Sequence, residues 1–185
     1  MRVIQNASDH RYWFDEARDD EDKPVEVVLK GRFGSFLATG NAAVFTVGYL
    51  RASQAWESSR GGSLLSIFFT IPDPVPYAAE TGYFGALEFS TTDDPADVET
   101  MLYESQAPEL LSIYDAQERA YLIPQSRTWM AVSDRSSWLT FYCFANDKDR
   151  DGFREMYPDL EFFDSLEDAK AYAKRAGLYD MQDLP

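Results

Sequence analysis

The most specific chemical pattern in this chain is a run of alternating carboxylates, Asp147, Asp149 and Asp151, followed directly by Gly152. Carboxylates at alternate positions before a glycine are typical of the first half of a calcium-binding loop, where their oxygens converge on the ion and the glycine makes a tight turn. The second half of such a loop is missing, because Pro158 occupies the position of the bidentate glutamate. We therefore treat the three aspartates as candidate calcium ligands, with capping of a following helix as the alternative.

Nucleophilic catalysis would depend on a single imidazole, because His10 is the only histidine in the chain. Cys143 is likewise the only cysteine, which excludes a disulfide and a zinc site built from Cys and His within one chain. His10 lies between Asp9 and Arg11 in a polar segment, so we expect it to be solvated. Cys143 lies in an apolar run and is expected to be a small core residue.

Carboxylate chemistry is the remaining catalytic option. Glycoside hydrolases need two carboxylates and aromatic platforms, and the chain has 32 acidic residues and four tryptophans. Composition does not select a carboxylate pair, and aromatic residues in strands usually pack in a core. Trp56, which precedes Glu57 and a loop rich in Ser and Gly, is expected to be exposed and is a candidate contact with a partner.

Negative charge is concentrated in the middle of the chain. The net charge is -15, and residues 61–118 contain 11 acidic residues with no Lys or Arg. Such a surface would attract a basic partner, although the alternative is a solvated face that only keeps the protein in solution. A second acidic cluster spans residues 15–22. The candidate partner-binding carboxylates are Asp93, Asp94, Asp97, Glu99, Glu104 and Glu109.

Charge and hydropathy also exclude several locations and partners. Direct binding of nucleic acid is not expected, because it requires a basic surface that releases counterions from phosphates. The apolar stretches 41–50 and 64–71 are shorter than the roughly 20 residues that span a bilayer. The N-terminus turns polar too early for a signal peptide, and a lone cysteine fits a reducing compartment. We expect a cytoplasmic protein without membrane contact.

The pattern of apolar residues predicts a single α+β domain over residues 1–185. The sheet is expected to be mostly antiparallel, with two to four helices concentrated in the C-terminal half. Asp94 before Pro95 predicts a helix start, and Ser165 with Asp168 predicts a capping box for a last helix. A further helix is predicted over 149–157. The predicted strands are 25–29, 44–50, 64–71, 82–89, 120–123, 128–132, 138–144 and 160–163, with 2–5 and 10–14 as further candidates. For 44–50 a helix is the alternative.

These features predict a non-enzymatic acidic binding or inhibitor protein that docks on a basic protein partner, such as a toxin or a nucleic-acid-binding enzyme. The composition is similar to that of small acidic inhibitors, including bacterial immunity proteins, antitoxins and mimics of DNA. The alternatives are a small carboxylate-based hydrolase and a calcium-stabilised binding domain. No cofactor is expected apart from the calcium of that last alternative.

Overall fold

A computed structural model describes residues 1–15, 33–40, 43–71, 73–105, 111–135 and 139–175. These residues form a seven-stranded sheet with the order β1-β4-β3-β5-β6-β7-β2, in which every neighbouring pair is antiparallel. The predicted antiparallel sheet is thus confirmed. The strands are β1 (Arg2–Val3), β2 (Ser35–Gly40), β3 (Leu64–Ile71), β4 (Ala86–Ser90), β5 (Arg119–Pro124), β6 (Trp129–Asp134) and β7 (Leu139–Phe144).

The described residues also contain seven α-helices, so the prediction of two to four helices in the C-terminal half is wrong. The first three helices all precede residue 82, and the helices are therefore spread along the chain. The helices are α1 (Ala7–Phe14), α2 (Val47–Ser59), α3 (Pro74–Thr81), α4 (Pro95–Tyr103), α5 (Ile113–Ala116), α6 (Asp147–Met156) and α7 (Leu166–Arg175).

Helix α2 occupies part of the segment in which a strand was predicted over 44–50. Residues 43–45 form a short 3-10 turn, and the helix begins at Val47. Leu50, Ser53, Trp56 and Glu57 are all buried, which is the three- and four-residue spacing of a helix packed along one side. The β-branched residues at the start of this segment favour a strand locally, but burial of the helical face outweighs that preference.

Helices α1 and α3 were missed although both have clear caps. The side chain of Asn6 accepts a hydrogen bond from the Asp9 amide, so residues 10–14 continue a helix instead of forming a strand. Asp73 accepts one from the Val75 amide, and Pro74 takes the first helical position of α3. This is the same Asp-Pro signal that correctly predicted α4.

Other local signals are confirmed. Strands β3, β5, β6 and β7 overlap the predicted runs, and Ser165 caps α7 by accepting a hydrogen bond from the Asp168 amide at 3.0 Å. The predicted strand 160–163 is reduced to one bridge, in which Phe163 pairs with Ala38 and covers the outer edge of β2. The predicted strand 25–29 lies outside the described residues.

The sheet is buried on both faces, which explains the uninterrupted apolar runs of its central strands. On one face, Trp129 and Tyr142 pack with Phe153 of α6 and with side chains of α2 and α4. On the other face, Val132 and Phe141 belong to a second cluster that includes side chains of α1 and α7. Successive residues of a strand point to opposite faces, so each central strand contributes to both clusters.

Gly85 provides a direct test of the packing between β3 and β4. Its φ of 61° is in the left-handed region, and a Cβ atom there would overlap the buried ring of Phe69. We expect Gly85→Ala to lower the free energy of unfolding by about 2–4 kcal/mol, because backbone strain and overpacking add. Urea denaturation measures the change. Gly61→Ala is the control, since Gly61 has a φ of 82° but open space around it, and it should lose only about 1 kcal/mol; equal losses would contradict the packing argument.

Candidate functional site

Helix α4 presents the exposed acidic side chains of the middle stretch. Asp94 caps it by accepting a hydrogen bond from the Ala96 amide at 2.9 Å, and Pro95 takes the first helical position. Val98 and Leu102 are fully buried and hold the helix against the core. The opposite side faces solvent. We call the exposed residues Asp94, Asp97, Thr100, Tyr103 and Glu104 the α4 surface.

A shallow groove of about 430 Å³ lies along this helix, lined by Glu99, Thr100, Tyr103 and Glu104. The Tyr103 ring is 41% exposed and stacks on Tyr114, with ring centroids 4.3 Å apart. Burial and the neighbouring groups Tyr114, Glu99 and Asp115 raise the pKa of Tyr103 to about 12. The groove therefore joins an aromatic ring to a negative environment.

Besides the cap Asp94, two further predicted partner-binding carboxylates are engaged within the chain. Asp93 accepts a hydrogen bond from the Ser90 amide at 2.7 Å, and its carboxylate lies 3.1 Å from the amino group of Met1. The hydrogen bond from Ser90 is the main cause that lowers the pKa of Asp93. Glu99 accepts a hydrogen bond from the Val47 amide at 3.1 Å, at the start of α2. Both side chains hold the α4 segment to its neighbours.

The acidic residues of the middle stretch do not all share one side of the molecule. Glu88 alternates with the inward-facing Leu87 and Phe89, so it lies on the sheet face opposite α4. There it receives hydrogen bonds from Arg2 at 2.8 Å and from the Trp13 indole at 3.0 Å. Cations from the N-terminus thus neutralise part of the stretch. Asp94, Asp97 and Glu104 are exposed on α4, while Asp73, Glu80, Asp115 and Glu118 are exposed elsewhere.

Trp56 is buried, which corrects the expectation that it is exposed. Only 7% of its surface is accessible, and its ring contacts Phe153 and Phe144 at centroid distances of 5.7 and 6.3 Å. The guanidinium of Arg60 covers it from the outside at 5.1 Å. Trp56 lies on the buried stripe of α2, whose first residues were predicted as a strand with a helix only as the alternative. Glu109 and residues 16–22 of the second acidic cluster lie outside the described residues.

The alternating aspartates form the first turns of α6 instead of a calcium loop. Asn146 caps this helix by accepting a hydrogen bond from the Asp149 amide at 3.0 Å. In a helix, Asp147 and Asp151 lie on one side and Asp149 points elsewhere, so the three carboxylates diverge. Within the described part of the chain, no group of three or more His, Cys, Asp or Glu side chains is placed to hold a metal ion.

Each of these aspartates also forms an ion pair with an arginine. Arg60 makes a two-pronged ion pair with Asp149 at 3.0 and 3.1 Å. Arg150 contacts both Asp147 and Asp151, at 3.1 and 2.8 Å. A bound cation would have to displace both arginines. The helix-capping alternative is also wrong for these aspartates, because Asn146 is the cap and the aspartates lie within the helix.

The two residues considered for nucleophilic catalysis are both inside the protein. Cys143 is 1% exposed, as predicted for a core residue. His10 is 4% exposed, so the expectation of a solvated imidazole is wrong. Its position on α1 turns it toward Phe68 and Phe84 at the sheet, while Arg11 is exposed. Local polarity misled the prediction, because every third or fourth residue of this polar helix faces inward.

Glu57 is a buried charged side chain that the sequence analysis did not identify. It has no accessible surface and accepts three hydrogen bonds, from the Ser126 amide and hydroxyl at 2.7 Å each and from the Trp129 indole at 3.1 Å. Gly62 packs so closely that a Cβ atom there would overlap this carboxylate. Glu57 ties α2 to the turn between β5 and β6, which is a structural role. The sequence signal that could have identified Glu57 is its position next to Trp56 on the buried side of one helix.

The remaining observations concern membranes and relatives. None of the helices in the described ranges combines the length and apolar character needed to cross a bilayer. Comparison with protein-family models, curated proteins and solved structures finds no significant match to this chain.

Proposed function

We propose that this chain is a non-enzymatic binding protein whose α4 surface docks on a basic protein partner. The observation that supports the proposal is the groove along α4, which combines Glu99 and Glu104 with the exposed ring of Tyr103. No Lys or Arg occurs in the surrounding stretch 61–118. The α4 surface would occlude a basic active site or a nucleic-acid-binding channel of the partner. The lone cysteine favours the cytoplasm as the compartment.

An arginine side chain fits the chemistry of the groove. A guanidinium stacks on the face of a tyrosine and pairs with carboxylates through several donors, whereas an ammonium does so less well. The chain shows the first contact within itself, because Arg135 lies 5.3 Å over the ring of Tyr114. Tyr103 stacks on that same Tyr114 and leaves 41% of its own surface in solvent.

Asp97 adds negative charge beside the groove and contributes little to the stability of the fold. It is exposed in the first turn of α4 and makes no ion pair with any described residue. Its free carboxylate stabilises the positive helix terminus only modestly, by about 0.3–1 kcal/mol. The larger effect of such charges is expected on association, where complementary fields accelerate encounter and reject wrong partners.

The proposal predicts salt-sensitive binding of cationic peptides at α4. A fluorescent oligo-arginine peptide should bind the protein at low ionic strength and bind more weakly at about 0.15 M salt. The double variant Asp97→Asn/Glu104→Gln should weaken the complex about tenfold, since two nearby charges are removed. Fluorescence anisotropy measures both effects.

The matched control removes the same charge elsewhere. Glu155 and Asp159 are exposed and lie outside α4, Glu155 in the last turn of α6 and Asp159 just after it. The variant Glu155→Gln/Asp159→Asn should keep the affinity within about twofold of the wild type. An equal loss of affinity in the two double variants would indicate attraction to the overall charge of the protein and would contradict a specific α4 surface. An affinity that does not change with salt concentration would also contradict the proposal.

The hydrolase alternative receives no support from this groove. The two carboxylates that line the groove are Glu99 and Glu104. Glu99 accepts a hydrogen bond from the Val47 amide and so has a structural role. The calcium-stabilised alternative is not supported either, because its candidate ligands form ion pairs with Arg60 and Arg150.

A further inference from the structure

A second cleft, of about 310 Å³, lies on the side of the sheet opposite the α4 surface. It is formed where α1 ends, against the start of α3 and the loop before β4. The lining residues are Ala7, His10, Arg11, Phe14, Asp15, Val75 and Phe84. Most of this wall is apolar, and Val75 is 62% exposed. Mostly apolar clefts with a few polar groups are typical of sites for small molecules.

His10 is the unusual residue in this wall. Its imidazole lies between the rings of Phe14 and Phe84, with centroid distances of 4.8 and 4.5 Å. The residue is 4% exposed, and its Nε2 atom is buried without a hydrogen-bond partner among the residues that the structure describes. Burial lowers the pKa of His10 to about 4 despite the nearby carboxylates Asp15 and Asp73, so the ring is neutral at pH 7.

This imidazole has a cost that packing alone does not explain. Buried polar atoms are nearly always hydrogen-bonded, and an unpaired one destabilises the fold. A phenylalanine would fill the space between Phe14 and Phe84 without leaving such an atom. A neutral imidazole has one donor and one acceptor nitrogen, and at this wall Nε2 is the nitrogen left without a partner among the described residues.

Arg11 supplies the charge at the same cleft. It is exposed, lines the opening and makes no ion pair with any described residue, although the chain has 32 acidic side chains against 17 basic ones. A guanidinium recognises a carboxylate through parallel hydrogen bonds. Asp15 also lines the cleft, and its charge disfavours a second negative group on the ligand.

We propose that this cleft binds a small monocarboxylate with a planar apolar body. Arg11 pairs with the carboxylate, Phe14, Phe84 and Val75 cover the body, and the His10 imidazole supplies a hydrogen bond from the wall. The site is separate from the α4 surface and does not depend on the function proposed there.

Benzoate is the probe, and the imidazole of His10 is the reporter. Because the chain has one histidine, the imidazole nitrogen signals of the ¹⁵N-labelled protein belong to His10 without assignment. Benzoate should shift them saturably with a Kd of about 1 mM, and acetate should bind at least about tenfold more weakly because it lacks the apolar body. Absence of a shift, or equal shifts with acetate, would overturn the proposal and indicate an adventitious anion only.

Two variants separate the roles of the side chains. Arg11→Gln should weaken benzoate binding about tenfold, while Arg51→Gln, an exposed arginine on α2, should leave it unchanged. His10→Phe keeps the ring stack but removes the reporter, so benzoate is titrated against the backbone amide signals of this variant and of the wild type. The variant should be well folded and bind benzoate at least about threefold more weakly. Unchanged affinity in Arg11→Gln would remove the carboxylate contact, and unchanged affinity in His10→Phe would remove the imidazole from the site.

Discussion

Replacing Glu57 with alanine is expected to destabilise the protein by about 3–5 kcal/mol. The carboxylate has no accessible surface and accepts hydrogen bonds from two donors of Ser126 and from the Trp129 indole. Removing it leaves the Trp129 indole buried without this acceptor, takes one partner from each of the half-buried Ser126 donors, and opens a cavity beneath α2. Urea unfolding followed by tryptophan fluorescence measures the loss in free energy, and Trp129 reports directly on the site.

Two variants define the origin of this effect. Glu57→Gln keeps the shape but offers one carbonyl acceptor in place of two carboxylate oxygens, so it should cost less than alanine, about 2–3 kcal/mol. Glu155→Gln removes a charge from the exposed surface of α6 and should change stability by less than about 0.5 kcal/mol. A loss below about 1 kcal/mol in Glu57→Ala would mean that the turn between β5 and β6 is not held by this carboxylate.

The second large effect is expected at the ion pair between Arg119 and Asp134. These residues face each other across β5 and β6, with nitrogen–oxygen distances of 2.6 and 2.8 Å. Their side chains are only 10% and 3% exposed. Asp134→Leu leaves a buried guanidinium without its carboxylate and should lower the free energy of unfolding by about 3–5 kcal/mol.

A double-mutant cycle tests whether the loss comes from breaking this ion pair. The variant Arg119→Met/Asp134→Leu replaces the pair by apolar side chains of similar size and should recover most of the stability, to within about 2 kcal/mol of the wild type. Thermal and urea unfolding measure the four proteins of the cycle. If the double variant were as unstable as Asp134→Leu, the aspartate would be needed for its other contacts and not for the ion pair.

The local signals of the chain were sufficient for much of the sheet. Strands β3, β5, β6 and β7 were predictable because their apolar runs are long and bounded by turn residues. The start of α4 was predictable because an aspartate cap followed by proline is a strong local signal. The same signal at Asp73 and Pro74 was passed over, since three closely spaced prolines favoured a chain break instead of a helix.

The candidate site was predictable only in part. The acidic stretch contained α4, and the exposed positions of Asp94, Asp97 and Glu104 follow from the helical repeat around Val98 and Leu102. The engagement of Asp93 by the amino terminus was not predictable, because its partner is at the other end of the first half of the chain. The groove at Tyr103 depends on stacking against Tyr114, which is a tertiary contact.

By itself, the sequence determined the antiparallel sheet, the negative middle stretch and the absence of chemistry that needs more than one His or Cys. These properties follow from composition and from contacts between residues that are close in the chain. Only the tertiary structure decided that His10, Trp56 and Glu57 are buried and that Asp149 pairs with Arg60. The last two outcomes rest on distant partners: Ser126 is 69 residues from Glu57, and Asp149 is 89 residues from Arg60. Local periodicity selects helix or strand, but burial and charge pairing depend on which distant surfaces the folded chain brings together.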